Sequence, residues 1–298
     1  MAIKKILLTG ADGFIGGYFY NELEHRGFEF LNISNSSSTR LPPDKHVKLS
    51  LSDREGLMKT IESYRPDAVV HMAAIASPVY HNPSEIYDVN VCGTENLLEA
   101  VKKSCPNGVR VLLFSTAGVY GNQDTLFLEE TLPVRPVNHY SSSKAVMEFL
   151  CQNYSDCMDV RILRPFNIIG KGQSEIFIAP KLVRAFKDRV PEISLGNVSA
   201  MRDYVSVEFC AAAALDFLLC DEIDYPVLNI CTGIGHTVHE LFEALVSITG
   251  HKPKTTISNQ IVRHNEIWRL VGCVKRLNMI ADSSKLMSLR SVLMQMLD

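Results

Sequence analysis

Tyr140 and Lys144 are separated by three serines in a stretch that continues through Val146, Phe149 and Leu150. That spacing predicts a helix, and residues four apart on a helix share one face, about 6 Å along the axis. An ammonium beside a phenol favours the phenolate, so the pair is expected to draw a hydroxyl of pKa ~10 toward neutrality. Such a tyrosine gives or takes a proton at a carbonyl or carbinol oxygen. Ser115 and Thr116 follow the apolar run Val-Leu-Leu-Phe114. A hydroxyl at the carboxyl end of a strand can hold the reacting oxygen against the tyrosine, and Thr116 is the nearer candidate. The expected catalytic set is therefore Thr116, Tyr140 and Lys144.

Such chemistry needs a hydride carrier, and the amino-terminal end offers a place for one. Thr9-Gly10-Ala-Asp-Gly13-Phe-Ile-Gly16 lies between an apolar run and a helical pattern. A strand, a glycine turn and a helix start make a phosphate cradle of free N–H groups aided by the helix dipole. Gly10 permits the tight turn, Gly13 the approach of a pyrophosphate, and Gly16 the packing of helix on strand. An NAD site places an acid at the end of the second strand, to hold the ribose 2′-hydroxyl. Here that position is Ser34, followed by Asn35, and no carboxylate comes before Asp44. The expected cofactor is NADP(H) in preference to NAD(H). Arg40 either pairs with the 2′-phosphate or belongs to a solvated polar loop.

The elements that must position these groups are legible from two periodicities. Apolar runs at residues 3–9, 28–33, 68–72, 109–115 and 160–163 read as strands covered on both faces. Helical patterns lie between them at 14–25, 53–64, 83–103 and 140–154, and Ser52-Asp-Arg-Glu55 and Thr237-Val-His-Glu240 read as capping boxes. Alternation of this kind implies α/β architecture: a Rossmann-type doubly wound parallel sheet. After residue 165 the pattern breaks into a loop carrying Gly170, Gly172 and Pro180, with a helix at 181–187. A helix at 207–219 and a strand at 227–231 are placed to rejoin the sheet. The expected division is a nucleotide-binding domain of residues 1–165 plus about 204–231. A smaller discontinuous α/β substrate-binding lobe takes 166–203 plus 232–298. Met279, Met287, Met294 and Met296 suggest an amphipathic carboxyl-terminal helix.

Composition narrows the function classes. Of 298 residues, 46% are hydrophobic and 21% charged, which suits a folded chain rather than a disordered one. Thirty basic and 33 acidic side chains leave a net charge of −3, so no nucleic-acid partner is expected. No apolar run approaches the ~20 residues of a membrane span, and the first residues lack the apolar core of a secretory signal. A cytoplasmic protein is expected. The eight cysteines include no Cys-x-x-Cys pair and lie mostly in apolar segments, as buried reduced thiols do. The nine histidines show no metal-ligand spacing, and no metal is expected. His71 ends an apolar strand and reads as a packed side chain. Trp268 reads either as a nucleobase stacker or as a core or interface residue.

Taken in order, the glycine turn, His71-Met-Ala-Ala74, Asn90-Val-Cys-Gly-Thr94, Ser115-Thr-Ala-Gly-Val-Tyr-Gly121, Tyr140-x-x-x-Lys144 and Arg202-Asp-Tyr-Val205 carry a resemblance. The chain resembles an extended short-chain dehydrogenase/reductase, of the NAD-dependent epimerase/dehydratase family of nucleotide-sugar enzymes. Arg164-Pro-Phe-Asn-Ile-Ile-Gly-Lys-Gly-Gln173 and Gly196-Asn-Val-Ser-Ala-Met-Arg-Asp203 are similar to the GDP-4-keto-6-deoxymannose reductases. The resemblance implies further dinucleotide contacts from Phe14, Ile15, Ala73, Ala74, Ala76, Asn90, Ser115 and Pro165. It also implies a nucleotide-diphosphate sugar as substrate, met by Ser77, Thr116, Asn167 and Arg202, and a homodimer formed through helices 83–103 and 138–154. Lys171 replaces a usual proline and Ile168 a common histidine. Residues 263–268 depart from the family's pattern where the base is contacted, so the nucleotide stays open.

Three reactions remain to be separated. The family's dehydratases carry an Asp-Glu pair directly after the Thr, where this chain has Ala117 and Gly118, which exchange no protons. Reduction at C4 of a 4-keto-6-deoxyhexose, with Tyr140 as proton donor, is the expected activity. A 4-epimerase with tightly held NAD uses the same residues and stands as the alternative. A non-catalytic sensor of the cofactor's redox state is remote, because such relatives typically lose the tyrosine.

Overall fold

The computed structural model describes residues 3–36, 39–77, 80–106, 108–257 and 266–298. Its first part alternates β1 (Lys5–Thr9), α1 (Phe14–His25), β2 (Glu29–Ser34), β3 (His46–Lys48), α2 (Arg54–Tyr64), β4 (Ala68–His71), α3 (Pro83–Tyr87), α4 (Gly93–Ser104), β5 (Arg110–Phe114), α5 (His139–Cys151) and β6 (Asp159–Pro165). The second part holds β7 (Asn167–Ile169), α6 (Ile178–Lys187), β8 (Glu192–Leu195), β9 (Met201–Ser206), α7 (Val207–Leu219), β10 (Val227–Ile230), β11 (Gly235–Thr237), α8 (Val238–Thr249), β12 (Lys254–Ile257), β13 (Arg269–Leu270), α9 (Leu277–Ile280) and α10 (Leu289–Leu297).

A fully parallel seven-stranded sheet runs in the order β10–β6–β5–β4–β1–β2–β3. Its strands feed two cores by alternation. Ile6 and Leu8 enter the core beneath α1 and α7, while Leu7 enters the core beneath α2, α4 and α5. Burial on both faces is why these strands read as unbroken apolar runs. Successive strands proceed one way from β1 to β3 and the other way from β4 to β10. The crevice at the carboxyl ends of β1 and β4 is thus the point where the order reverses, the place for a ligand in an open sheet.

A four-stranded sheet of β7, β9, β11 and β13 and a β8–β12 pair lie beyond β6. Helices α6, α8 and α10 close over a third core that includes Leu182, Phe186 and Leu245. Only Phe166 separates β6 from β7, and Ser206 ends β9 directly before α7.

Several local expectations are corrected. The cap of α2 is Asp53, whose carboxylate accepts from Gly56 N at 2.9 Å, while the Ser52 hydroxyl lies 2.8 Å from that of Ser50. The Thr237 box is complete: Glu240 N donates to Thr237 Oγ1 at 3.1 Å and Thr237 N to Glu240 Oε2 at 2.6 Å. The helix expected at 83–103 is divided by a π turn at Asp88–Cys92, and the one at 140–154 ends in a 3₁₀ turn at Gln152–Tyr154. The four methionines do not share one helix: Met279 lies in α9, Met287 precedes α10, and Met294 and Met296 lie in α10, with the chain turned between the helices where the Asp282 side chain accepts from Ser284 N. Pro165 belongs to β6, paired with Ile230. All eight cysteines are free, with Cys92 and Cys157 exposed rather than buried. Among the described residues no cluster of three or more His, Cys, Asp or Glu side chains suits a metal, and no helix is long and apolar enough to cross a membrane.

Candidate active site

Helix α5 starts where Asn138 Oδ1 accepts from Ser141 N at 2.9 Å, which fixes the first turn and with it Tyr140. Opposite stands the end of β5, followed by a 3₁₀ turn (Ala117–Tyr120) capped by Thr116, whose Oγ1 accepts from Gly118 N at 3.1 Å. The Thr116 hydroxyl is the side chain that acts on the Tyr140 phenol, drawing its pKa down. Lys144, fully buried one turn along, donates from Nζ to the Phe114 carbonyl at 2.6 Å. Both side chains therefore converge on the carboxyl end of β5, two residues apart.

The electrostatics differ from the sequence expectation. Burial pushes the Tyr140 phenol up to about 12, with the Thr116 hydroxyl acting in the opposite direction. The Lys144 ammonium faces a backbone carbonyl, so it does not draw the phenol toward neutrality. Burial in turn lowers Lys144 to about 8, against the upward pull of Cys151 and Glu148. A phenol held at about 12 keeps its proton at neutral pH.

Behind this pair lies a buried network that sequence reading missed. Ser115 Oγ, expected to face the cofactor, donates to Glu148, which also takes Arg164 Nη2 at 2.6 Å and Nε at 3.0 Å. Arg164 Nη1 reaches Tyr120 Oη at 3.0 Å, and that phenol donates to Asn229 Oδ1 at 2.7 Å. Helix α5 is thereby tied to β5, β6 and β10. Glu148 stands four residues after Lys144, the one sequence signal that could have placed it on the same face.

The dinucleotide cradle fits its expected occupant on geometry. Gly10 adopts φ +81° and lies so close to the loop after β4 that a Cβ would sit 2.6 Å from Ala73 N. A Cβ on Gly16 would overlap the Gly10 carbonyl. The amino end of α1 carries no side-chain cap and no acid in its first turn. Open N–H groups there suit a pyrophosphate. Phe14 and Ile15 are half-buried against the core. Ala73 N donates to Thr9 Oγ1 at 3.3 Å, and Ala74 and Ala76 continue the same loop. Asn90 is fully buried and commits its amide elsewhere: it accepts from Ile75 N at 2.8 Å and donates to Ile75 O and Ser143 Oγ. Asn90 lies in the π turn, and its side chain fixes the loop after β4. His71 lies 2.6 Å from Thr9 Oγ1 and 2.9 Å from Thr94 Oγ1, and burial holds it down at about 3. It is a packed residue, as read.

At the end of β2, Ser34 is half-buried, and Asn35 and Arg40 are exposed. The premise that no carboxylate reaches this point is corrected: Asp12, from the glycine turn, accepts from Ser34 Oγ at 2.7 Å. Ser37 and Ser38 of that loop lie outside the described residues.

On the substrate side, Asn167 pairs in register with Tyr204. Asn167 Oδ1 and Tyr204 Oη are buried without a hydrogen-bond partner among the described residues. Ser77 borders the loop after β4. Arg202, expected to meet a diphosphate, is paired with Glu266 Oε1 at 2.5 Å and donates to the Met201 carbonyl at 2.9 Å. Asp203 is a further organiser: it accepts from Thr232 N at 2.8 Å, Gly233 N at 2.9 Å and Gly272 N at 3.2 Å. Trp268 is 60% exposed, which excludes a core position. Residues 263–265 lie outside the described part.

Comparisons with known proteins agree with this geometry. Residues 6–231 match the model of the NAD dependent epimerase/dehydratase family. A GDP-6-deoxy-D-talose 4-dehydrogenase from Aggregatibacter actinomycetemcomitans is 36% identical over 98% of this chain and 96% of its own. A Thermus thermophilus UDP-glucose 4-epimerase in complex with NAD superposes with a TM-score of 0.86 at 26% identity, covering 99% of this chain and 98% of that one. RMD from Pseudomonas aeruginosa, complexed with NADPH, gives 0.85 at 26%, covering 99% and 97%. With an NAD(P) cradle, a tyrosine–lysine helix and this likeness along its whole length, the chain belongs to the NAD dependent epimerase/dehydratase family.

Proposed function

We propose that the protein moves a hydride between a nicotinamide dinucleotide and C4 of a GDP-linked 6-deoxyhexose, acting as an NAD(P)H-dependent reductase of the 4-keto sugar. The observation that carries the reading is the Tyr140 phenol at the start of α5, kept protonated by burial and acted on by the Thr116 hydroxyl that follows β5, with Lys144 one turn along. The bound dinucleotide supplies the hydride. Tyr140 gives its proton to the carbonyl oxygen as C4 is reduced, and Thr116 holds that oxygen. Lys144 orients the nicotinamide ribose. Gly10, Gly13 and Gly16 with the start of α1 hold the pyrophosphate, and Asn167 and Arg202 meet the substrate. Ala117 is buried and Gly118 packs against Ser141, which leaves no acid–base pair for dehydration. The 36% likeness to a GDP-6-deoxy-D-talose 4-dehydrogenase supports the GDP-sugar.

The same reading takes residues 1–165 with 204–231 as the dinucleotide domain and the remainder as the substrate lobe. It makes the enzyme a cytoplasmic homodimer, its partner covering Val146 and Phe149, which are 43% and 58% exposed on α5. A second reading, 4-epimerisation with retained NAD, is favoured by the Asp12 carboxylate at the end of β2. One experiment separates the two. Purified protein is offered GDP-4-keto-6-deoxyhexoses with NADH or NADPH, and nicotinamide absorbance is followed. Stoichiometric oxidation of the reduced dinucleotide is expected. Its absence, together with interconversion of UDP-glucose and UDP-galactose, decides for the epimerase.

A further inference from the structure

Asp12 lies between the first two glycines of the turn, on an element read only as a phosphate cradle. Its carboxylate nevertheless sits against the end of β2. Oδ2 accepts from Ser34 Oγ at 2.7 Å and from Asn32 Nδ2 at 3.4 Å, and Oδ1 accepts from Thr39 Oγ1. Buried Asn32 completes the joint by accepting from Ala11 N at 3.2 Å. The carboxylate is exposed and held by donors from both sides of the β2 loop. In a doubly wound sheet the acid that meets the adenosine ribose comes from the end of β2. Here the strand supplies a hydroxyl, and the acid reaches the same point from the preceding turn.

We infer that Asp12 sets the dinucleotide preference and turns it toward NAD(H). The inference rests on the proposed dinucleotide site and reverses the preference expected from Ser34 and Arg40. A carboxylate offers about four lone-pair positions, and three are in use. The fourth can take a proton donor such as the ribose 2′-hydroxyl. A 2′-phosphate brings two negative charges to a fixed one, and its polar neighbours are already engaged: Ser34 and Thr39 donate their hydroxyl hydrogens to Asp12, and the Asn32 amide lies between Asp12 and His46. Arg40, exposed on the same loop, is the opposing charge.

Binding of NADH and NADPH is measured by nicotinamide fluorescence, without substrate, for the intact protein and for Asp12→Asn, Asp12→Ser and Arg40→Ala. The intact protein is expected to bind NADH about tenfold or more tighter than NADPH, the scale of one charge contact near a surface. Asp12→Asn and Asp12→Ser should narrow or invert that ratio by a similar factor, chiefly by tightening NADPH. Arg40→Ala should leave NADH binding within about twofold on the same scale. A ratio unmoved by both Asp12 variants, or an intact protein that prefers NADPH through Arg40, overturns the inference alone. Failure to bind either dinucleotide overturns the site and the inference together.

Discussion

The two flanks of the candidate site are built on different terms. Behind α5, Ser115, Glu148, Arg164, Tyr120 and Asn229 are buried and bonded to one another. Across the crevice, Asn167 Oδ1 and Tyr204 Oη are buried without partners among the described residues, while Arg202 pairs with Glu266 and donates to the Met201 carbonyl. A saturated network gains nothing from a ligand and fixes geometry, whereas an unsatisfied one lowers its free energy when a polar ligand arrives. The difference assigns alignment to the first flank and recognition to the second.

The largest test of that contrast is chemical. Tyr140→Phe removes the proton donor and should lower kcat by about 10²–10⁴-fold while dinucleotide binding is retained. Steady-state kinetics alongside a binding titration check it. On the saturated flank, Glu148→Ala leaves a buried guanidinium unpaired and should cost about 3–5 kcal/mol in chemical unfolding. Replacing both partners, Glu148→Leu with Arg164→Met, should recover much of that loss, which marks the pair as a device for alignment rather than for net stability.

The third test uses pH. His71 is held at about 3 in the folded state against 6.5 for a free imidazole. Below about pH 6.5 the unfolded chain takes up a proton that the folded chain refuses, so stability present above that pH is lost toward pH 3. The expected fall is about 2 kcal/mol between pH 6.5 and pH 5, and His71→Gln should remove that part of the slope in urea unfolding. The smallest effect is on the recognition flank. Glu266→Gln removes the paired carboxylate charge from Arg202 and, on the proposed role of that guanidinium, should lower the sugar nucleotide's KM by about two- to fivefold with kcat unchanged, since a partly exposed pair is worth under about 1 kcal/mol.

What the sequence disclosed follows the range of the interactions. The glycine turn, the Tyr140–Lys144 spacing and the two-sided strands are local patterns, and each was legible. Contacts that depend on tertiary closure were not. Ser34 looked like the end of an uncharged strand because Asp12 lies 22 positions away. Arg202 looked available because Glu266 is 64 positions downstream. Lys144 stands one turn from Tyr140 as read, yet a backbone carbonyl at the end of β5 claims its ammonium. The π turn at Asp88–Cys92 keeps the apolar spacing of a plain helix, so nothing in the pattern announced it.

One joint has a consequence for how specificity can change. The chain passes from β6 to β7 through Phe166 alone and returns from β9 to α7 without a linker, with Ile169 and Ser206 paired across the two passages. Pro165 and Asn167 are therefore at most about 7 Å apart along the backbone. With so little slack, β7 and β9 cannot swing relative to the end of β6 at this seam. Adaptation to a different hexose has to proceed by exchanging side chains on a fixed frame, as a lock is re-keyed without moving its cylinder.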